Sequence, residues 1–442
     1  MPRTDRRPDR SAPAMRAPGI RASPVIWLTS YGLSLLGKGI AAVVLPLLVL
    51  ERTGDVLAAG VLASVTTAAS AATGLVSGLL VDRVDRRTVT IVSDVLAAVS
   101  VAALPLVDLL WGLDLVWFLV LGVLGAVIRV PGTTAQETVL PVLVRLGGDG
   151  PGRLDRLVAI RENVGNVLAL AGPGVGGVLV GVLGPTPVVL VVTAVTSLLA
   201  AATTGLLDPR VGAVAPRAVG ESGAGGVRGA VADLVASWRF LAADRLVLGA
   251  TLFSAVLVAV VVSLQTTVLP AYYVAAGVPA LTGLTLSALA GGGIAGSALY
   301  AALAGRVRRR TWFVFGMLGF GAGIALAGSL AAPWLVLAAA ALVGFTNAPV
   351  GAVLGVLIIE ATPDAMRGRV LGAQNTLVLA APAATGAPIA AVASAAGLGA
   401  AGVVLAVLAG TAAVVALLVP VFRGLDPPGE VPAPDRLGTV PA

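Results

Sequence analysis

Residues Leu246 to Gly305 read LVLGATLFSAVLVAVVVSLQTTVLPAYYVAAGVPALTGLTLSALAGGGIAGSALYAALAG, sixty consecutive positions without an Asp, Glu, Lys or Arg. A helix that crosses a bilayer needs about 20 mostly apolar residues. The run therefore holds two such helices, with Gly277-Val278-Pro279 as the turn between them. Three further stretches carry no charge: Asn163–Leu207, Thr311–Ile359 and Val370–Phe422. Each is again long enough for two helices, with turns expected at Gly184-Pro185-Thr186-Pro187, Ala332-Pro333 and Gly397-Leu398-Gly399. The first third adds Val25–Leu50, Val56–Val81, Thr88–Val107 and Leu115–Pro141, which hold only Lys38, Asp94, Arg129 and Glu137 as charges. The expected fold is an all-α membrane protein of twelve transmembrane helices in two parallel six-helix halves.

Composition agrees. Of 442 residues, 57% are hydrophobic and 12% charged, against roughly 45–50% and 25% in soluble domains. Too little polar surface is available to cover a soluble core of this size. The chain has no Cys and no His, which excludes disulfides, thiolate chemistry and imidazole bases. Its single lysine, Lys38, stands in Gly37-Lys38-Gly39 with no hydroxyl after it, so no Walker motif for ATP is present. No metal site and no cofactor are expected.

Charge placement orients the spans. With the N-terminus inside, 26 of the 29 basic residues fall in cytoplasmic segments, the bias of inner-membrane proteins. The net charge of +7 is thus topological and implies no nucleic acid. The expected divisions are an unstructured tail 1–24, a six-helix bundle 25–207, a cytoplasmic linker 208–244, a second bundle 245–422 and an unstructured tail 423–442. Within the linker, Val227, Val231, Leu234, Trp238 and Leu241 recur at helical spacing, as in a surface helix with Trp238 at headgroup level or in a plain linker helix. Arg in place of Lys and richness in Ala, Val, Gly and Leu point to a GC-rich bacterial genome. The expected location is a bacterial plasma membrane, with both termini cytoplasmic.

The halves repeat weakly. Gly78-Leu79-Leu80-Val81-Asp82-Arg83-Val84-Asp85-Arg86-Arg87 lies over Ala301-Ala302-Leu303-Ala304-Gly305-Arg306-Val307-Arg308-Arg309-Arg310 at an offset of 223, and Asn166, Pro173 and Gly177 lie over Asn375, Pro382 and Gly386 at 209. Twelve spans with a basic loop after spans 2 and 8 resemble the major facilitator superfamily. The Gly78–Arg87 segment resembles its loop signature G-x-L-a-D-r-x-g-r-r, with Asp85 where the family usually has Gly. The D-R-x-D-R-R form, Asn347-Ala348-Pro349 and Pro363-Asp364-Ala365-Met366-Arg367-Gly368-Arg369-Val370 are similar to the macrolide and siderophore (enterobactin) exporters. Gly172-Pro173-Gly174-Val175-Gly176-Gly177 resembles the G-P-x-x-G-G signature of the antiporters.

The resemblance implies conformational roles. Asp82 would latch onto the N-terminus of span 11 near Gly368, and Arg83, Arg86 and Arg87 would pair with carboxylates such as Asp94, holding an outward-open state. Simple topogenic charge is the plainer reading of the same loop. Gly172, Pro173, Gly176 and Gly177 would seal the halves when the inside gate is shut, beside the plainer reading of close helix packing.

Lys38 and Arg129 lie at mid-span, where a charge costs several kcal/mol unless it faces water or a partner. No carboxylate is expected at that depth. Three readings stand open: the pair binds an anionic group on a substrate, Lys38 carries a coupling proton, or both pair with carboxylates elsewhere. Glu137, Asp108 and Asp94 are the carboxylate candidates for proton movement. Asn166, Gln265, Asn347, Gln374 and Asn375 are candidates for substrate contact or interhelical hydrogen bonds, as is Gln136. The second half has no deep charge, and its cavity wall is expected to be apolar, drawing on Trp312, Phe253, Tyr272 or Tyr273.

The resulting expectation is a proton-coupled antiporter for efflux of a small amphipathic molecule by alternating access, working as a monomer in the lipid bilayer. The alternative is an importer of an anionic metabolite with the same fold. A membrane enzyme would need clustered His or carboxylates at one depth, and a channel would need rings of like charge; the sequence has neither.

Overall fold

The computed structural model describes residues 18–81, 84–146, 153–212, 238–303, 306–362 and 367–419. Among these there are helices and no strand. In chain order the long helices are α1 (Pro18–Thr53), α2 (Val56–Val81), α3 (Arg86–Leu110), α4 (Leu115–Leu146), α5 (Arg153–Leu183), α6 (Val189–Gly205), α7 (Arg245–Ala275), α8 (Leu281–Leu303), α9 (Arg309–Gly328), α10 (Pro333–Ala361), α11 (Arg367–Ala396) and α12 (Leu398–Leu418). Eleven are long and apolar enough to cross a membrane; α6, with 17 residues, is the short one. All twelve expected spans are therefore present.

Local chemistry sets several boundaries. Asp85 caps α3: its carboxylate accepts from the Thr88 backbone N–H at 2.8 Å, satisfying a donor with no intrahelical partner. Asp244 caps α7 in the same way, accepting from Leu246 and Val247. Gly277 and Gly397 adopt positive φ of 72° and 90°, which places turns where the sequence puts them. Inside α7 the backbone widens into a π-turn over Leu264–Val268, directly before Pro270. Proline has no N–H and crowds the carbonyl four residues back, and the extra residue in the turn absorbs the mismatch. The first helix starts at Pro18, so residues 18–24 are helical rather than an unstructured tail. Pro at the first helical position forgoes an N–H that would be unpaired there in any case. Residues 1–17 and 420–442 lie outside the described residues, as do Val227, Val231 and Leu234 of the linker. Of the described parts of that linker, residues 238–244, with Leu241 buried and Trp238 partly so, pack on the core of the later helices, and Val211 packs with Trp27 and Leu143 of the first helices.

Packing groups the helices. Among the first six, α1 lies against α5 and α6, and α3 against α4 and α6. Among the last six, α10 lies against α8 and α9, and α11 against α7 and α12. Two extended seams join the sets, α2 with α11 and α5 with α8. Both are tightest at the end remote from residues 84–86 and 306–308. There one apolar cluster joins Ile40, Val44 and Leu47 of α1 to Ala271 of α7. Trp111 and Trp334 are exposed at that same end, at the C-terminus of α3 and the N-terminus of α10, where an interfacial aromatic belt belongs.

Candidate functional site

A cavity of about 590 Å³ lies between α1, α2, α4 and α11. Its construction begins at Gly37-Lys38-Gly39. A Cβ on Gly39 would fall 2.8 Å from Gly172 Cα of α5, and one on Gly37 would collide with Thr196 of α6. Both glycines thus let neighbouring backbones close on α1. Lys38 projects from the open side, exposed to the cavity it lines. Arg129 lines the same cavity from α4. Among the described residues, neither cation has a carboxylate within 4.0 Å. Small hydroxyl side chains supply most of the remaining polar surface: Thr67, Ser70 and Ser77 of α2, Thr133 and Thr134 of α4, and Thr376 of α11.

Asp94 stands behind this wall on α3. Ser34, one turn before Lys38, donates to its Oδ1 at 3.2 Å. Its Oδ2 is buried with no hydrogen-bond partner, and Arg129 acts on it electrostatically. The expectation that no carboxylate shares the depth of Lys38 and Arg129 is therefore corrected. Gly132 causes the approach: a Cβ there would lie 2.5 Å from Ser93 Cβ, so α3 and α4 meet one turn from Arg129.

The other candidates separate. Glu137 lines the cavity but is paired with Arg161 at 2.7 Å, and Arg161 also caps the Tyr31 ring at 5.5 Å. Asp108 pairs with Arg52 at 2.5 Å, at the remote end and away from the cavity. Substitution Asp108→Asn is expected to cost less than about 1 kcal/mol in detergent melting and to leave transport unchanged. Asn375 lines the cavity; Asn166, Gln265, Asn347 and Gln374 do not. Gln136 bonds Ser30 at 3.3 Å, joining α4 to α1. Trp312, Phe253 and Tyr273 are buried in the core of the later helices. The wall supplied by α11 is Gly372, Asn375, Thr376 and Leu379, which corrects the expectation of an aromatic, apolar face. The hydroxyl residues escaped notice as single residues, although Thr67, Ser70 and Ser77 recur at helical spacing on α2.

Gly78 lies within α2, and Asp82 and Arg83 lie outside the described residues. Arg86 and Arg87 do not pair with Asp94. Arg86 donates to the Thr138 carbonyl at 3.3 Å, and Arg87 to Thr204 and Gly205 at 3.3 and 2.5 Å. The last carbonyls of α6 have no intrahelical donors, and a guanidinium at α3's start is well placed to supply them.

The Gly-Pro segment of α5 has two working faces. Gly172 and Gly176 receive α1, at Gly39 and Ile40, while Pro173 and Gly177 receive Gly283 of α8. Ser287, one turn along α8, donates to the Leu170 carbonyl at 2.5 Å. The second seam repeats this design. Gly60 abuts Gly386 and Ala390, and Ser64 accepts from the Ala387 N–H at 2.8 Å. Gly60 with Gly283, and Ser64 with Ser287, are each 223 residues apart, the offset of the loop repeat. At the other end, Gly74 and Gly372 face the cavity with nothing within 4 Å of a Cβ. The seams are thus shut at the end remote from residue 84, while toward residue 84 Gly74 and Gly372 leave space between α2 and α11.

Twelve helices, eleven of them long and apolar enough to cross a membrane, around a cavity lined by charged and hydroxyl side chains are the architecture of a membrane transport protein. The chain belongs to the Major Facilitator Superfamily, whose sequence model matches residues 27–306 and 277–438. It is a transporter and not an enzyme. It is 31% identical over 348 residues to the multidrug efflux pump Tap of Mycolicibacterium fortuitum, covering 78% of this chain and 83% of that protein. The pump of the same name from Mycobacterium tuberculosis is 30% identical over 350 residues, covering 78% and 81%. Among solved structures, a D-xylose-proton symporter superposes with a TM-score of 0.69 at 14% identity, over 91% of this chain and 99% of that one. A bacterial homolog of the human lysosomal transporter Spinster superposes at 0.65 and 15%, over 90% and 96%. These two likenesses concern the fold.

Proposed function

We propose that this transporter exports small amphipathic molecules, of drug, antibiotic or siderophore type, from a bacterial cell in exchange for protons. The observation that carries the reading is the cavity between α1, α2, α4 and α11, whose volume suits a drug-sized ligand. The two efflux pumps of about 30% identity support the direction and the class of cargo. Arginine placement supports a bacterial plasma membrane with both termini in the cytoplasm. The chain works as a monomer, rocking residues 25–207 against 245–422 about the two glycine seams. Lys38 and Asn375 contact cargo, and Arg129 belongs to the proton pathway. Asp82 and Arg83 latch the cytoplasmic ends, with Arg86 and Arg87 bracing α4 and α6 at the same face.

Everted vesicles made with and without the protein test this reading. An acid lumen is expected to drive accumulation of antibiotics or amphipathic dyes, and collapse of the pH gradient by nigericin is expected to abolish it. A second reading, import of an anionic metabolite, is favoured by the two cations facing the cavity without ion-pair partners. Accumulation of anions in right-side-out vesicles, with none of any solute in everted ones, would establish import and end the export reading.

A further inference from the structure

We propose that Asp94 is the group that takes up and releases the coupling proton, and that Arg129 acts as its positioning partner, turning between that carboxylate and the cavity. This rests on the transport reading above and names the residue that couples it.

Three carboxylates of the first six helices are candidates for the proton, Asp94, Asp108 and Glu137; Glu51 of α1 and Glu162 of α5 are exposed. Asp108 is held by Arg52 and Glu137 by Arg161, both at 2.7 Å or less. A carboxylate locked to an arginine at the rim has little reason to exchange a proton during the cycle. Asp94 alone keeps a buried oxygen, Oδ2, with no donor. An unsatisfied carboxylate oxygen away from water is costly. A proton on Oδ2 removes the buried charge, the larger part of that cost, without moving a helix.

The groups around Asp94 come from α1, α4 and α6; Arg210, on the short helix 209–212 that also packs on α3, stands at the Asp85 and Arg87 end. From α1 come Ser34, which bonds Oδ1, and Lys38 one turn further. From α4 comes Arg129, which acts on the carboxylate and also lines the cavity. From α6 comes no charged residue, since Val189–Gly205 contains none. Arg129 is therefore the cation shared by Asp94 and the cargo space. With Asp94 ionised, the guanidinium is drawn back toward α3. When a proton from solvent adds to Oδ2, that attraction is lost and Arg129 turns into the cavity. There it occupies the space of a neutral cargo and repels a cationic one. When the proton leaves, the carboxylate is restored and Arg129 withdraws. Proton and cargo then compete without touching the same atom, which is the requirement for exchange.

The test is infrared difference spectroscopy of the full-length protein in liposomes, with the proton itself as probe. A pH change is expected to produce a protonated-carboxyl C=O band that is absent in Asp94→Asn and retained in Asp94→Glu, Asp108→Asn and Glu137→Gln. Ser34→Ala and Arg129→Gln are expected to move the midpoint of that band, and Lys38→Gln to move it less. A band that persists unchanged in Asp94→Asn overturns the proposal. So does a band indifferent to Arg129→Gln. The readout is independent of vesicle transport: an Asp94 band in a protein that exports nothing would end the export reading and leave the proton site standing.

Discussion

Substitution Gly283→Leu is expected to hold the transporter open at the end where the seams now close. A Cβ at Gly283 would meet the Pro173 carbonyl and lie 2.6 Å from Gly177 Cα. These are backbone atoms in the middle of a helix and cannot give way as a side chain would. Overpacking of this kind costs about 1–3 kcal/mol. The cost falls only on the form in which α5 and α8 touch, so the alternative form gains by roughly tenfold or more. The far seam reports it. The chain has no cysteine, so Ser64→Cys, buried between α2 and α11, can be labelled alone. A membrane-impermeant maleimide is expected to reach Cys at that position several times faster when Gly283→Leu is also present. Unchanged labelling would mean that α5 and α8 repack locally and that the two seams do not open together.

Replacement of Lys38 by methionine is expected to abolish transport while making the protein more stable. The ammonium has no ion-pair partner among the described residues and stands at mid-membrane depth, where a lysine costs about 2.5–3.5 kcal/mol on an isolated helix. Cavity water offsets much of that, so a gain of about 1 kcal/mol is the expected size. A methionine is one atom shorter, unbranched and uncharged, and leaves the Gly37 and Gly39 contacts intact. Thermal unfolding in detergent measures the gain, and vesicle transport measures the loss. Wild-type transport by Lys38→Met would remove the lysine from the mechanism; a fall in melting temperature would show that it is held by a partner after all.

The two substitutions differ in how far the residues announced themselves. Lys38 is conspicuous as the only lysine, in the middle of an apolar run. Nothing local distinguishes Gly283 from the other 55 glycines. Its role depends on Pro173 and Gly177, more than a hundred residues away. Asp94 was visible as a charge in a span, but its depth relative to Arg129 follows from the Gly132–Ser93 approach, a contact between two helices. Arg86 and Arg87 were legible as a loop signature, yet their partners are a carbonyl within α4 and carbonyls at the end of α6, which carry no side-chain mark in a sequence.

Twelve helices and the turns between them followed from the sequence by itself, because partition into lipid is decided by about twenty consecutive side chains at a time. Which faces of those helices meet was decided only in the tertiary structure. Glycines far apart in the chain, Gly39 with Gly172, Gly177 with Gly283 and Gly60 with Gly386, create the close approaches, and those approaches determine that Lys38, Arg129 and Asn375 share one cavity while Asp108, Asn166, Gln265, Asn347 and Gln374 stand outside it. Hydrophobicity is a property of a segment; a site is a property of how rigid segments stack, and small residues carry no sign of the neighbour they admit.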